Sequence, residues 1–226
     1  MLETRPAKQA REPPSNTNTN TNTDSDTLTL ALALALALPE YLHPMRYVAL
    51  LRGINVGGNN LIKMAELKAC FEAQGLRDVA TYIQSGNVVF ASPKRPPEIA
   101  RRLEAAIAAT FGCRTSVMLR SQKEMEAIVA RAPGGFGKQP DKYRYDVIFL
   151  HDALTPAAAL EKVATRAGVD QARPGAGVLY FSRLIAKASQ SQLSRMMSQP
   201  IYKSMTIRNW RTTTTLLQMM AGDAVN

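Results

Sequence analysis

Three polar segments hold the residue types that could bind an anion. In the first, Arg52-Gly53-Ile54-Asn55-Val56-Gly57-Gly58-Asn59-Asn60 sets three glycines and four asparagine or arginine side chains between an apolar run and a helical pattern, with Lys63 just beyond. Glycine lets backbone N–H groups turn outward and approach a ligand closely. A following helix start adds partial positive charge, so strand, glycine loop and helix together can hold phosphate. Arg52, Asn55, Gly57, Gly58, Asn59 and Lys63 are the candidates here. The segment matches neither G-x-x-x-x-G-K-S/T nor G-x-G-x-x-G, and the alternative is a loop whose glycines only permit left-handed backbone angles.

The second segment, Tyr82-Ile83-Gln84-Ser85-Gly86-Asn87, has the form of a tight hairpin turn, and Ser85 and Asn87 are its polar candidates. The third runs from Thr206 to Thr215 and contains the single tryptophan, Trp210, flanked by Arg208, Asn209 and Arg211. Asn209 or a nearby threonine can cap a helix there, leaving N–H groups beside two guanidinium groups, a geometry suited to phosphate or carboxylate. The alternative is a capped terminal helix with Trp210 in the core and both arginines solvated.

Other chemistries have little support. Two cysteines, Cys70 and Cys113, and two histidines, His43 and His151, cannot build a four-ligand zinc site from Cys and His alone, and no carboxylate pair suggests metal or glycosidase chemistry. His151 is the only histidine of the body and sits beside Asp152, where a loop role is the simpler reading. No catalytic residue, metal or cofactor is assigned, and enzyme activity stays open. The formal charge is +10, and residues 45 to 226 carry 25 basic against 13 acidic residues, an excess that favours polyanions. Nonspecific nucleic-acid binding through a basic surface is therefore a rival to a small anionic ligand, although no base-stacking motif accompanies it. A structural or interaction module is the third reading.

The elements that must position these segments are legible along the chain. Residues 1 to 44 alternate Asn with Thr and then Leu with Ala, and read as a low-complexity leader with Met45 as the natural start of the folded part. The Leu/Ala run from Leu28 to Leu38 is shorter than the ~20 residues a membrane helix needs. Its separation from Arg5, Lys8 and Arg11 argues against an export signal, so a reducing cytoplasm is expected. Strands are predicted at Tyr47 to Leu51, Val79 to Ile83, Val88 to Ala91 and Thr115 to Leu119. Helices are predicted from Met64 to Gly75 and from Pro96 to Gly112. That order, β-α-β-β-α-β, is a ferredoxin-like split βαβ unit over residues 45 to 120, an antiparallel sheet with both helices on one face. Residues 121 to 226 begin with a Ser121/Glu124 capping box. They continue through a strand at Val147 to Leu150, a helix from Thr155, a strand at Val178 to Phe181, a short helix at Leu193 to Met197, and a last helix beyond Trp210. They make a second α/β module.

Leu51 to Gly58, Tyr82 to Asn87, and Thr206-Ile207-Arg208-Asn209-Trp210 with Thr212 and Thr213 together resemble a bacterial family known as domain of unknown function 1697. The resemblance spans about residues 45 to 221. It implies an α+β fold of two ferredoxin-like modules in tandem, and it implies no activity, cofactor or partner. The functional expectation is one cleft in which the glycine loop and the Thr206 to Trp210 segment bind a phosphate- or carboxylate-bearing ligand.

Overall fold

The computed structural model describes residues 44–55, 61–151 and 153–223. The expected leader lies outside the described residues apart from Pro44, and so do Gly57, Gly58 and Asn59.

The first apolar run forms strand β1 (Met45–Leu51), and the periodic Met64, Leu67 and Phe71 lie on helix α1 (Met64–Glu72). Strands β2 (Arg77–Tyr82) and β3 (Asn87–Ser92) make the expected hairpin. Helix α2 (Pro96–Phe111) starts on its two prolines, which need no N–H partner there. It ends at Gly112, whose φ of 65° is the left-handed turn that closes a helix. Strand β4 (Val117–Ser121) completes a four-stranded sheet in the order β2-β3-β1-β4, with every neighbouring pair antiparallel.

Helix α3 (Gln122–Ala130) carries the expected capping box: the Glu124 N–H donates to Ser121 Oγ, and the Ser121 N–H donates to the Glu124 carboxylate. Strand β5 (Tyr143–Leu150), helix α4 (Pro156–Lys162), strand β6 (Asp170–Pro174) and strand β7 (Val178–Leu184) follow. After a 3-10 turn at Ile185–Gln190 come helix α5 (Leu193–Met197), a second 3-10 turn at Pro200–Ser204, strand β8 (Met205–Asn209) and helix α6 (Trp210–Ala221). The second sheet has the order β6-β7-β5-β8, again antiparallel throughout. Nothing in Asp170-Gln171-Ala172-Arg173-Pro174 announces β6. It is an edge strand paired only with β7, and charge and a terminal proline are what protected edges carry.

Alternate residues of β1 enter two different cores. Tyr47, Ala49 and Leu51 pack with Leu67 and Phe71 of α1 and with Ile99, Leu103 and Ile107 of α2. Val48 and Leu50, on the opposite face, pack with α3 (Met125, Ile128), α6 (Leu216, Met220) and the facing residues Val147 and Phe149 of β5. Ile148 and Leu150 point the other way, into a third core with Leu179, Phe181, Ala159 and Met196. The expectation of helices on one face therefore describes only α1 and α2, because α3 and α6 cover the other face of the first sheet. Continuous burial of β1 from Val48 to Leu51 and of all six β3 residues carries that information, since a sheet with one wet face would alternate.

Candidate functional site

At the end of β1 and the β2–β3 turn, the polar candidates bond to one another and to the backbone. Asn55 has a left-handed φ of 52°. Its Nδ2 donates to Ile62 O at 2.9 Å and Gln84 O at 2.8 Å, while its Oδ1 accepts the Ile62 N–H at 2.7 Å. One side chain thus closes the loop between residues 55 and 62 and fastens it to the hairpin. Asn87 is fully buried, and its Nδ2 donates to Tyr82 O at 3.1 Å and Ser85 Oγ at 3.0 Å, which fixes the turn. Gly86 is obligatory there, because at φ 74° an added Cβ would lie 2.8 Å from Ile54 and Leu51 side-chain atoms.

Arg208 reaches this turn from β8. Its Nε donates to Asn87 Oδ1 at 2.5 Å, Nη1 to Thr206 Oγ1 at 3.1 Å and Ile207 O at 2.8 Å, and Nη2 to Leu51 O at 2.8 Å and Ser85 O at 3.1 Å. A guanidinium has five N–H donors, and all five have protein acceptors. These acceptors are neutral oxygens, so burial away from water lowers the Arg208 pKa to about 10, still charged at neutral pH. Arg208 joins the two sheets rather than offering a free donor. Arg52 has a comparable linking contact, Nη1 to Tyr202 O at 3.0 Å, and Lys63 is exposed and paired with Glu66 at 3.3 Å.

Beside this joint lies a cavity of about 560 Å³, whose lining includes Ser85, Arg208, Asn209 and Arg211. The hairpin and residues Ile207 to Trp210 share this cavity, whereas the glycine loop expected as the other wall of the cleft lies outside the described residues from 56 to 60. Among the described candidates, Arg52, Asn55, Lys63 and Asn87 do not line it. The cavity exists because β5 runs further than its neighbour: β8 pairs with Asp146 to Leu150 only, and the chain then turns into α6. Asn209 caps that helix by accepting the Thr212 N–H at 2.7 Å. Thr213 Oγ1 and Thr214 Oγ1 donate back to Asn209 O and Trp210 O, so the threonine run serves the helix itself.

The uncovered end of β5 supplies lining residues that the three motifs do not contain: Tyr143, Arg144, Tyr145 and Asp146, joined by Arg183 from β7. Asp146 is buried and forms an ion pair with Arg183 at 3.5 Å, yet its Oδ2 and the Arg183 Nε have no hydrogen-bond partner among the described residues. Burial raises the Asp146 carboxyl pKa, and the positive charges of Arg183 and then Arg144 oppose that rise more weakly. Arg144 and Arg211 are exposed. The Tyr143-Arg144-Tyr145-Asp146 alternation of aromatic and charged residues is a strand signal that extends β5 to this end.

Ser116 Oγ lies 3.1 Å from His151 Nε2, and Asp152 lies outside the described residues. Among the described residues no group of three or more His, Cys, Asp or Glu side chains could hold a metal ion, and no helix is long and apolar enough to cross a membrane.

Comparison with known proteins returns a family and a fold. The model of a family described as protein of unknown function (DUF1697) matches residues 45–180. No curated protein matches the chain. Among solved structures, the chain is similar to the conserved bacterial protein SP0830 from Streptococcus pneumoniae, with 28% identity and a TM-score of 0.69 over 78% of this chain and 98% of that one.

Proposed function

We propose, for a chain that belongs to the DUF1697 family of proteins of unknown function, that the cavity beside β5 binds a small ligand carrying a phosphate or carboxylate. The observation that carries this reading is the charge around the cavity: Arg144, Arg183 and Arg211 stand against the single carboxylate of Asp146. Arg208 backs the wall from behind with its donors already engaged. Guanidinium groups suit bidentate contact with phosphate or carboxylate oxygens, and the start of the 12-residue helix α6 adds N–H donors at the same place.

The same proposal treats each sheet as a ferredoxin-like module, which the repeated orders β4-β1-β3-β2 and β8-β5-β7-β6 support. It places the protein in a reducing cytoplasm, in keeping with two free, buried cysteines, Cys70 and Cys113.

Trp210, the only tryptophan, lines the cavity and provides the probe. Titration with phosphate, sugar phosphates and di- and tricarboxylates, read by tryptophan fluorescence and thermal unfolding, should find an anion that stabilises the fold. The gain is ~2.7 kcal/mol at 100 times its dissociation constant. Arg211→Ala should abolish the response while leaving the unliganded unfolding temperature unchanged. An equal response in that variant, or none to any anion, would remove the proposal.

A further inference from the structure

We infer that the molecule bound in this cavity carries a hydroxyl group beside its anionic group, held by Asp146 and Arg183, which makes it a hydroxy acid or a hydroxylated phosphate ester. This rests on the anion site proposed above and names the class of molecule that fills it.

Three of the charges that line the cavity share one face of the second sheet. Arg144 and Asp146 are two residues apart on β5, and Arg183 of β7 stands directly opposite Arg144. Side chains so related point the same way. Further along this face Ile148, Leu179 and Phe181 are covered by the third core.

Asp146 is only 7% exposed, and its neighbours across the sheet do not complete its hydrogen bonding. Phe181, opposite it on β7, has no side-chain donor, and Asn209, opposite it on β8, turns its side chain to the start of α6 to accept the Thr212 N–H. Arg183 Nη2 stops 3.5 Å from Asp146 Oδ2, beyond the about 2.7–2.9 Å of a charge-assisted hydrogen bond. Asp146 Oδ2 and Arg183 Nε are thus a buried acceptor and a buried donor, both without a partner among the described residues. Leaving two such groups open is costly. Asp170 Oδ1 is unpartnered too, but the other oxygen of that carboxylate has a task within the protein, accepting the N–H of Arg166 at 3.1 Å and of Gln192 at 2.9 Å. Asp146 and Arg183 instead line a cavity.

A hydroxyl is the smallest group that answers both atoms, because its O–H donates to the carboxylate while its oxygen accepts from Nε–H. An ammonium only donates, and a carboxylate only accepts. Burial raises the Asp146 carboxyl pKa, and a hydroxyl suits either protonation state, donating to the carboxylate or accepting from the acid. The last torsion of an aspartate is soft, so the carboxyl can turn an oxygen toward the cavity. Arg144 and Arg211, both exposed, remain for the anionic group.

The test is calorimetric titration of the full chain with compounds that differ in one feature. Malate (both enantiomers), aspartate and succinate place a hydroxyl, an ammonium or a hydrogen on the same carbon, and glycerol phosphate is set beside propyl phosphate. Malate or glycerol phosphate should bind ten-fold or more tightly than its hydroxyl-free match, the range that a hydrogen bond to a charged group gives. Which of them does so separates a hydroxy acid from a phosphate ester. In Asp146→Ala, and separately in Arg183→Met, that ratio should fall to near one. The ratio compares two ligands on the same variant, so a change in charge or stability that acts on both cancels, and if Asp146→Ala does not fold, Arg183→Met decides. Equal binding of the matched compounds would overturn the hydroxyl contact while leaving the anion site intact. Tighter binding of aspartate than of malate would overturn it in favour of an ammonium group, and a preference that survives both substitutions would overturn the assignment to Asp146 and Arg183. Absence of binding by any anion would remove both the contact and the site.

Discussion

The two sheets have the same strand order and different outer cover. Helices α1 and α2, of nine and 16 residues, lie over the first sheet, whereas α4 and α5, of seven and five residues, serve the second with the help of two 3-10 turns. The shorter cover reaches Ile148 and Phe181 and stops before Arg144 and Arg183. At the opposite rim of the first sheet, where β1 ends and β3 begins, Asn55 and Asn87 are bonded to protein oxygens, as is Arg208 reaching over from β8. Polar side chains of similar type thus do different work in the two places. Those at the first sheet hold the chain together, and those at the bare end of β5 face a cavity.

The largest effect that could break this comparison is at Arg208. Arg208→Ala removes five donors from buried acceptors and should cost ~3–5 kcal/mol in urea unfolding. A loss below about 1 kcal/mol would mean that the joint is not what holds the sheets. Gly86→Ala forces a side chain into a left-handed position against Ile54 and Leu51, with an expected cost of ~2–3 kcal/mol by the same measurement. Asn55→Ala should cost ~1–2 kcal/mol by opening the loop base. Asn55→Gly sharpens the point, since glycine keeps the backbone angle and loses only the hydrogen bonds.

The smallest effect belongs to the second sheet. The Asp146 carboxyl has its pKa raised by burial above the ordinary 3.8. Such a group contributes stability that is complete below its unfolded value and is lost as pH rises through its folded value. Asp146→Asn should therefore flatten the pH dependence. Thermal unfolding from about pH 3 to pH 7 should show the native chain losing ground to the variant across the lower part of that range. A native chain that gains on the variant as pH rises would instead make Asp146 a net stabilising partner of Arg183.

Much of the scaffold was legible because local chemistry sets it. The Ser121/Glu124 box, the Asn209 cap and the short helix Leu193–Met197 stand where their residue types place them. The roles of Asn55, Asn87 and Arg208 were not legible, because a side chain's type does not reveal whether its donors are already engaged by carbonyls far along the chain. The lining from Tyr143, Arg144, Asp146 and Arg183 went unnoticed for a different reason. Strands recognised by their apolar centres, Val147 to Leu150 and Val178 to Phe181, end short of their polar tips. The tips matter only once β8 is seen to stop at the partner of Asp146.

Helix α6 closes the layer between the sheets, and it follows every strand of both sheets along the chain. Until Leu216 and Met220 emerge, Val48, Leu50, Val147 and Phe149 lack one side of their shared core. A nascent or interrupted chain that ends before Trp210 displays apolar faces on both sheets at once, the kind of surface that chaperones and proteases act on. Synthesis of α6 is thereby coupled to survival of the product.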